Sequence, residues 1–404
     1  MLTIEKKTAV ETYIAEKIEK RDTGEPICAY VYDLDYLENH AEKIKQSLPP
    51  FCRLYYAVKA NPEKPILETL EPIVDGFEVA SYGEMQKVSG LTEKAMLFGG
   101  PGKKDKEIAS ALESNVDYLN VESFHELNRM IYIAEQKGVK IPVLLRVNLK
   151  DNVSDSHIRM SGVPTQFGVD ERDIPVILLE ALASPHIEVK GFHFHAMSNN
   201  LDAQAHLQFI GTCIEKSLAW QNEFGMEAPI VNVGGGIGIN YLNPDQPFEW
   251  EVLAKGLEDF YHIYQHQSLT LFLEIGRYMT AECGSYVTEV LDVKTNHGEH
   301  FAVIRGGSHH LRLPAAWKMS HPFHVHSIDE WRYPFERPGI FDEAVTVAGE
   351  LCTPNDVLVR KENVKELRAG DVMIFRFAGA YGWTISHHDF LSHPHPEHIF
   401  VKKD

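Results

Sequence analysis

A lysine follows one of the most apolar runs of this sequence, "YYAVKANP" at residues 55–62. The aromatic and β-branched residues in front of Lys59 are typical of a buried strand, so the sequence predicts Lys59 at the end of a strand. A lysine that is partly shielded from water is the kind that forms a Schiff base with a carbonyl group. An ion-paired lysine with no chemical role is the alternative.

Glycines cluster after another short apolar run. The stretch "PIVNVGGG" at 229–236 ends in Gly234, Gly235 and Gly236. Glycines let the backbone approach a phosphate with its N–H groups exposed. The loop is not a dinucleotide-binding G-x-G-x-x-G motif, because position 239 is Ile239. A tightly packed turn without a ligand is the alternative.

Two more apolar runs end in groups that suit a pyridine ring with a phosphate. In "LEIGR", Glu274 can hold the proton of a ring nitrogen, and Arg277 can face the phosphate. In "GFHFHAMS", His193 and His195 share one strand face, and a flat imidazole can stack on the ring. Two histidines can also bind a metal, but no acid near them in the sequence completes a ligand set, so we expect no metal. A buried Glu–Arg pair and core histidines are the alternatives. Together, these groups predict pyridoxal 5'-phosphate as the cofactor.

Eight strand-like runs alternate with helical patterns and must position these groups. The runs are 53–60, 76–81, 95–100, 118–123, 142–148, 189–198, 229–236 and 269–277. This alternation predicts a (β/α)₈ barrel, in which functional groups follow the carboxyl ends of the strands and the last two loops bind phosphate. A doubly wound open sheet is the alternative.

The remaining chain has a different pattern. After residue 277 come runs such as "SYVTEVLDVKT" and "DVMIFRFAG" with turns between them, which predict a mostly antiparallel β domain. We therefore expect a barrel over 27–277 and the β domain over 278–404.

Composition limits the partners and the location. The chain of 404 residues has a net charge of -19, which argues against nucleic acid or an anionic membrane as partner. Its five cysteines show no C-x-x-C spacing, so reduced thiols and a cytoplasmic location are expected. The sequence shows no apolar run long enough for a membrane span and no pattern of a signal peptide.

Many motifs, in order, resemble those of the fold-type III pyridoxal phosphate decarboxylases, which act on diaminopimelate, ornithine and arginine. They are "YYAVKAN", "GFEVASYGEM", "NVESFHEL", "LLRVN", "GFHFHAMS", "GGGIG", "EIGR", "GELCTPNDVL" and "GAYGW". The stretches "FGGPGK", "RGGSHHLRLPAAW" and "GAYGWTISHHDFLSHPHPE" are most similar to one branch, the decarboxylases of staphyloferrin B-type siderophore synthesis. The substrate of that branch is a citryl–diaminopropionate conjugate.

The resemblance implies a fold and a set of roles. It implies a barrel followed by a β domain, an N-terminal arm over 1–26 that packs on the β domain, and a homodimer with shared active sites. Lys59 would carry the cofactor, Glu274 would pair with its ring nitrogen and His195 would stack on the ring. Cys352 would act as a catalytic residue from the other subunit. The remaining cofactor contacts implied by the resemblance are Ser198, Gly234, Gly235, Gly236, Arg277 and Tyr381.

One departure from the family bears on the substrate. Diaminopimelate and ornithine enzymes carry an acid directly after the cysteine, where it binds a distal amine, but Thr353 and Pro354 follow Cys352 here. Arg312 and His310 are instead available for carboxylates, and we expect them, with Cys352 and Tyr381, to contact the substrate. A carboxylate-rich amino-acid conjugate is therefore the expected substrate.

Three alternatives stay open. A diaminopimelate or other basic amino-acid decarboxylase is the nearest, and a pyridoxal phosphate racemase shares the same domain plan. A non-catalytic regulator that resembles antizyme inhibitors is the third, but such proteins lose the cofactor, and the sequence keeps Lys59, Glu274 and the glycine-rich loop.

Overall fold

The structure of the protein, a computed structural model, describes residues 8–19, 25–114, 116–150, 158–159, 164–227 and 229–402. The chain forms two compact units. We call them the barrel unit, made of Glu38–Asn240 and Gln246–Met279, and the β unit, made of Met1–Leu37, Tyr241–Asp245 and Thr280–Asp404. Among the helices of the described residues, none has the length and apolar character needed to cross a membrane.

The strands in chain order are β1 (Cys28–Asp33), β2 (Cys52–Ala57), β3 (Gly76–Val79), β4 (Ala95–Phe98), β5 (Tyr118–Val121), β6 (Ile141–Asn148), β7 (Ile158–Arg159), β8 (Val169–Asp170), β9 (Ile187–His193), β10 (Met197–Ser198), β11 (Ile230–Asn232), β12 (Thr270–Ile275), β13 (Gly284–Asn296), β14 (Glu299–Ile304), β15 (Phe323–His326), β16 (Gly339–Ala348), β17 (Val357–Arg368), β18 (Val372–Phe375) and β19 (Glu397–Val401).

The α-helices are α1 (Ala9–Glu19), α2 (Leu34–Gln46), α3 (Lys64–Leu70), α4 (Tyr82–Ser89), α5 (Asp105–Glu113), α6 (Phe124–Lys137), α7 (Ile174–Ala183), α8 (Ala203–Phe224), α9 (Trp250–Tyr264), α10 (Arg277–Thr280) and α11 (Leu313–Trp317). Short 3₁₀ turns lie at Val58–Ala60, Glu171–Asp173, Trp383–Ile385 and Phe390–Ser392.

Eight parallel strands close into a barrel in the barrel unit. Their order is β2, β3, β4, β5, β6, β9, β11 and β12, and β12 pairs with β2 again. Each of the eight predicted strand runs overlaps one of these strands. The predicted (β/α)₈ barrel is confirmed, and an open doubly wound sheet is excluded because the β5–β6 and β12–β2 pairings leave the ring without an edge.

Side chains in the loops that follow the strands cap the N-termini of three barrel helices. The Ser81 hydroxyl accepts the Glu84 N–H at α4, and the Ser123 hydroxyl accepts the Glu126 N–H at α6. Asp202 accepts two backbone N–H groups at the start of α8. These caps satisfy N–H groups that a helix start otherwise leaves without partners, so each chain segment turns into its helix within a few residues of its strand.

The β unit contains one mostly antiparallel sheet, as predicted. Its order is β15-β18-β13-β14-β16-β17, and β1 pairs with both β13 and β19. The parallel pairs in this sheet are β14 with β16 and β1 with β19. Ala9, Tyr13 and Ile14 of α1 are buried in a cluster with Val287 and Ile374 of this sheet.

The N-terminal boundary differs from the expected position at residue 27. Strand β1 hydrogen-bonds with β13, with Cys28 opposite Thr288, so residues 28–37 group with the β unit rather than with the barrel. The physical reason is that a short apolar strand is equally compatible with either sheet, and only its long-range hydrogen-bond partner decides the assignment.

Candidate active site

Lys59 lies just beyond the carboxyl end of β2. It sits in the 3₁₀ turn Val58–Ala60 rather than in the strand itself. Its Nζ donates to Glu78 Oε2, on the neighbouring strand β3, at 2.6 Å. The Lys59 side chain is 34% exposed, whereas that of Glu78 is 5% exposed. The amine is therefore held by a buried acid but keeps access to a ligand.

The Glu78 carboxyl has an unusual proton affinity. Burial raises the pKa of Glu78, the charge of Lys59 lowers this pKa and the charge of the nearby Glu274 raises it. The net pKa is about 7. Sequence patterns gave no sign of this residue, because its role comes from the parallel pairing of β2 with β3, which places Ala57 beside Glu78.

Glu274 is fully enclosed near the end of β12. Asn232 Nδ2, on the adjacent β11, donates to Glu274 Oε1 at 2.8 Å. His193 Nε2 lies 3.5 Å from the same oxygen, and His195 Nδ1 lies 3.7 Å from Oε2. Burial alone raises the pKa of the Glu274 carboxyl, but the two histidines and the charge of Lys59 outweigh burial and hold that pKa well below its usual value. The carboxyl is thus an anion at neutral pH.

His195 follows β9 by two residues and faces the glycine-rich loop. The Gly235 N–H lies 3.3 Å from His195 Nδ1, so the imidazole contacts the backbone of the glycine-rich loop. Burial lowers the His195 pKa to about 4, so the ring is neutral. A flat, uncharged ring beside an ionised acid is suited to stacking on an aromatic cofactor.

The glycine-rich loop runs too close to its neighbours for side chains. A Cβ on Gly235 would lie 2.1 Å from the Glu274 carbonyl oxygen, and one on Gly236 would lie 2.6 Å from the Met197 carbonyl oxygen. Gly234 and Gly236 also have positive φ values of 69° and 95°. The loop therefore needs glycine for its conformation and for close approach.

The expectation that no acid lies beside the two histidines is wrong. His193, His195 and Glu274 bring three ligand atoms within 4.8 Å of one another. The acid comes from a different strand, far along the chain, so sequence proximity could not reveal it. Such a set can hold a metal ion, and the expected absence of a metal stays a prediction.

A buried ion pair between Arg146 and Glu122 connects several neighbouring segments of the barrel. Arg146 Nη1 donates to Glu122 Oε1 at 2.6 Å, and the two oxygens of Glu122 also accept the N–H groups of Gly100 and Gly168. Burial raises the pKa of Glu122, but the charges of Arg146 and Lys103 and the hydrogen bond from Arg146 together outweigh burial, so the net pKa is lowered. The resemblance motifs contain both residues, but their chemistry was not recognised from the sequence.

Unsatisfied polar atoms mark where a ligand fits. Among the described residues, the amide of the buried Asn120 and Nδ1 of His193 have no hydrogen-bond partner. A Cβ on Gly99 would lie 3.3 Å from both Asn120 Nδ2 and Glu78 Oε1, so the free amide faces the same space as Glu78. Buried polar groups of this kind are usually completed by a ligand or water. Together with Lys59, the anionic Glu274 and the side-chain-free loop, they fit a pyridoxal phosphate group.

The other predicted site residues fall in both units. Ser198 ends β10 and Arg277 begins α10, both in the barrel unit. Cys352, with an exposed thiol, Arg312, exposed before α11, and Tyr381 belong to the β unit. Tyr381 has φ of 49°, a conformation that non-glycine residues adopt rarely and that often marks a functional position.

His310 lies in the core of the β unit. The residue is fully buried in the β unit, with Nδ1 3.1 Å from the Tyr286 hydroxyl. Burial, with His309 and Arg305 nearby, lowers its pKa to about 2. A neutral imidazole carries no positive charge but can still donate one hydrogen bond to a carboxylate, so contact between His310 and the substrate stays a prediction.

Comparisons with known proteins agree on one family, the pyridoxal-dependent decarboxylases. Residues 34–281 match the family described as "Pyridoxal-dependent decarboxylase, pyridoxal binding domain". A Staphylococcus aureus protein named 2-[(L-alanin-3-ylcarbamoyl)methyl]-2-hydroxybutanedioate decarboxylase is 44% identical over 93% of this chain and 94% of its own length. A Helicobacter pylori diaminopimelate decarboxylase is 30% identical over 88% of this chain and 86% of its own length.

Solved structures agree with this result. The crystal structure of the H. pylori diaminopimelate decarboxylase complexed with L-lysine superposes with a TM-score of 0.83 and 26% identity, covering 95% of this chain and 94% of that one. A lysine/ornithine decarboxylase from Vibrio vulnificus, at 20% identity and a TM-score of 0.77, covers 98% of this chain and 100% of that one and shares the fold.

Proposed function

Because the chain belongs to the pyridoxal-dependent decarboxylases, we propose that it removes the α-carboxylate from a citrate-derived conjugate, 2-[(L-alanin-3-ylcarbamoyl)methyl]-2-hydroxybutanedioate. The observation that carries the proposal is the 44% identity, over 93% of the chain, to the S. aureus decarboxylase named for this substrate. The conjugate combines an L-alanine unit, which has the amino and carboxyl groups that the reaction needs, with two carboxylates at its other end. Siderophore synthesis is the setting that this substrate implies.

The barrel unit would bind the cofactor. When bound, pyridoxal 5'-phosphate supplies an aromatic ring that accepts the electron pair left on Cα as CO₂ departs. Lys59 would hold the cofactor covalently through its side-chain amine. The Glu78 carboxyl, with a pKa of about 7, can exchange a proton with the Lys59 amine.

Three further groups would keep the cofactor oriented and charged. The anionic Glu274, fixed by Asn232, would hold a proton on the ring nitrogen. The neutral His195 would stack on the ring, because its charge state does not oppose a protonated pyridine. The residues proposed around the phosphate are Ser198, Gly234, Gly235, Gly236, Arg277 and Tyr381.

We propose a homodimer in which Cys352 of the partner subunit completes each active site. Its exposed thiol would return a proton to Cα after CO₂ leaves. Arg312 would bind substrate carboxylates, and Thr353 with Pro354 would leave a distal ammonium without an acid partner. The cytoplasmic location stays a prediction.

A substrate comparison tests the proposal. The purified enzyme with added cofactor is offered the conjugate, diaminopimelate, lysine, ornithine and arginine, and kcat/KM is measured for each from product formation by mass spectrometry. We expect the conjugate to be preferred by more than about tenfold, since a buried ammonium without a partner costs several kcal/mol. The Lys59→Ala variant is the control for background reaction.

The outcomes separate the alternatives. A preference for diaminopimelate would support the second candidate, which the fold similarity to the H. pylori enzyme favours. A racemised product with no CO₂ would indicate a racemase. A protein that stays colourless with added pyridoxal phosphate would indicate a regulator, although the retained Lys59–Glu78 pair and the ionised Glu274 argue against that reading.

A further inference from the structure

A cavity of about 720 Å³ in the β unit is lined by positive charge. Arg312, Lys318 and Arg360 line it, with the imidazole of His387 at the same surface. The other lining residues are small or neutral, namely Ser308, Ala315, Ala316, Thr353 and Asn355. No aspartate or glutamate is among the lining residues, although the chain has 58 acidic and 39 basic residues.

The three cations have no counter-charge within the part of the chain that the structure describes. No ion pair joins the side chains of Arg312, Lys318 or Arg360 to a described acid, whereas the neighbouring Lys361 pairs with Glu299 at 2.6 Å. Like charges collected in one cavity repel one another, and an anion placed between them removes that repulsion. The cavity thus has the electrostatics of an anion site.

Two acids from the same loops, Asp356 and Glu350, have partners other than the cavity cations. Asp356 is 1% exposed and accepts the N–H of Ser308 at 2.6 Å and the N–H of Leu351 at 2.9 Å. These bonds hold together the two loops that supply Ser308 and Thr353 to the cavity wall. Glu350 is paired with Arg305. The acids therefore shape the cavity without neutralising it.

The cavity wall also adjoins the proposed proton donor. Thr353 lines the cavity and directly follows Cys352 in the chain. Lys318 directly follows α11 and has φ of 54°, a left-handed conformation in which glycine or asparagine costs less than lysine. Asparagine at position 318 is therefore compatible with the turn.

We propose that this cavity binds the two carboxylates of the hydroxybutanedioate end of the substrate, and that Lys318 and Arg360 determine specificity together with Arg312. The inference rests on the proposed function and deepens it, since it assigns the carboxylate-rich end to named residues. Arg312 and Arg360 can each hold a carboxylate through paired N–H groups, and Lys318 supplies a further charge in the same cavity.

The experiment uses two variants that remove charge with little change in shape. Lys318→Asn keeps a residue that tolerates positive φ, and Arg360→Gln keeps a long polar side chain. Lys361→Gln is the matched control, because it removes one charge from the next position of β17 without touching the cavity lining. All proteins are compared as the cofactor-loaded enzyme.

The first readout is the ratio of kcat/KM for the conjugate to kcat/KM for 3-(acetylamino)-L-alanine, which keeps the amino-acid end and lacks the distal carboxylates. We expect each cavity variant to lower this ratio about tenfold or more, mainly through KM, and the control to leave it unchanged. The second readout is citrate as a competitive inhibitor, whose Ki should rise about tenfold in the cavity variants.

The outcomes distinguish this inference from the proposed function. If wild type prefers the conjugate and the two cavity variants keep its substrate ratio and citrate Ki, the inference is wrong and the proposed function stands. If wild type does not act on the conjugate, the proposed function fails and calorimetric titration with citrate decides the cavity. Citrate binding that weakens in Arg360→Gln then supports an anion site, and absent or unchanged binding overturns it.

Discussion

The carboxyl group of Glu274 is fully buried and carries a negative charge. Three neighbouring side chains stabilise the charged carboxyl. Asn232 lies on β11, His193 lies at the end of β9 and His195 follows β9. A buried carboxyl without such partners would bind a proton instead. The charge is therefore a property of the barrel end and not of the residue type alone.

Replacing Glu274 by glutamine should remove that charge and keep the side-chain shape. We expect Glu274→Gln to retain pyridoxal phosphate, seen by its visible absorbance, and to lose roughly 10²–10³-fold in kcat, the usual scale for a lost charge at a reacting group. Glu68→Gln, at an exposed acid of α3, is the control. Near-normal turnover with bound cofactor would contradict the role of Glu274.

The residue-level predictions succeeded where strand ends were recognisable. Lys59 was expected at the end of a strand and Glu274 near the end of another, and the structure places them there, with Lys59 two residues past β2. Glu78 and Asn232 were missed, because a hydrogen bond between neighbouring strands depends on register that local patterns do not contain. The burial of His310 was not predicted, because a histidine-rich stretch gives no sign of burial.

At the scale of elements, the loop after β11 depends on its lack of side chains. A Cβ on Gly235 would meet a backbone oxygen, which cannot rotate away as a side chain can. The substitution Gly235→Ala must therefore displace the loop or the end of β12. We expect a loss of about 1–3 kcal/mol in stability and a clear loss of cofactor affinity, measured by thermal unfolding and by absorbance titration with pyridoxal phosphate.

A matched glycine tests whether the effect belongs to that loop. A Cβ on Gly102 would have no neighbour within 4 Å, so Gly102→Ala should change neither property. Cofactor affinity in Gly235→Ala equal to that of wild type would exclude the loop from the cofactor site.

The element pattern was largely readable from the sequence. Eight alternations of strand and helix predicted the barrel, since each buried parallel strand is a short apolar run followed by a capped helix. The pairings of β1 with β13 and β19 were not predicted. They join segments more than 250 residues apart, and no local pattern records such a partner.

At the scale of the whole molecule, a mixing experiment tests the shared active site. The Lys59→Ala and Cys352→Ala variants should each be inactive alone, and their mixture should regain activity. In a mixed dimer, one site has both intact residues, so recovery of up to about a quarter of wild-type activity is expected for random exchange. Absence of recovery, after subunit exchange has been demonstrated with tagged chains, would count against an interfacial site.

Stability should fall in mild acid because several buried histidines are neutral. His321 is fully buried, its Nε2 donates to the Arg376 carbonyl at 2.6 Å, and burial lowers its pKa to about 4. The unfolded chain, with a histidine pKa near 6.5, binds a proton that the folded state does not, so stability is lost as pH falls from about 6.5 towards 4.

The substitution His321→Gln isolates this effect, because glutamine can still donate to the carbonyl but does not titrate. Between pH 7 and pH 5 the variant should lose about 2 kcal/mol less than wild type, measured by urea unfolding at equal protein concentration. His262→Gln, at an exposed residue of α9, should show the wild-type pH dependence. Identical pH dependence in wild type and His321→Gln would refute the assignment.

The parallel pairing of β1 with β19 also determines how late in synthesis this part of the sheet can be completed. Ala29 lies opposite Glu397 and Asp33 lies opposite Val401, so β1 leaves the ribosome long before its second partner is translated. At roughly 5–20 residues per second, that delay lasts roughly 20–75 s. A chain released before β19 is made therefore has an unpaired edge at β1, and unpaired strand edges promote aggregation. Cellular quality control could recognise such unfinished chains by this edge.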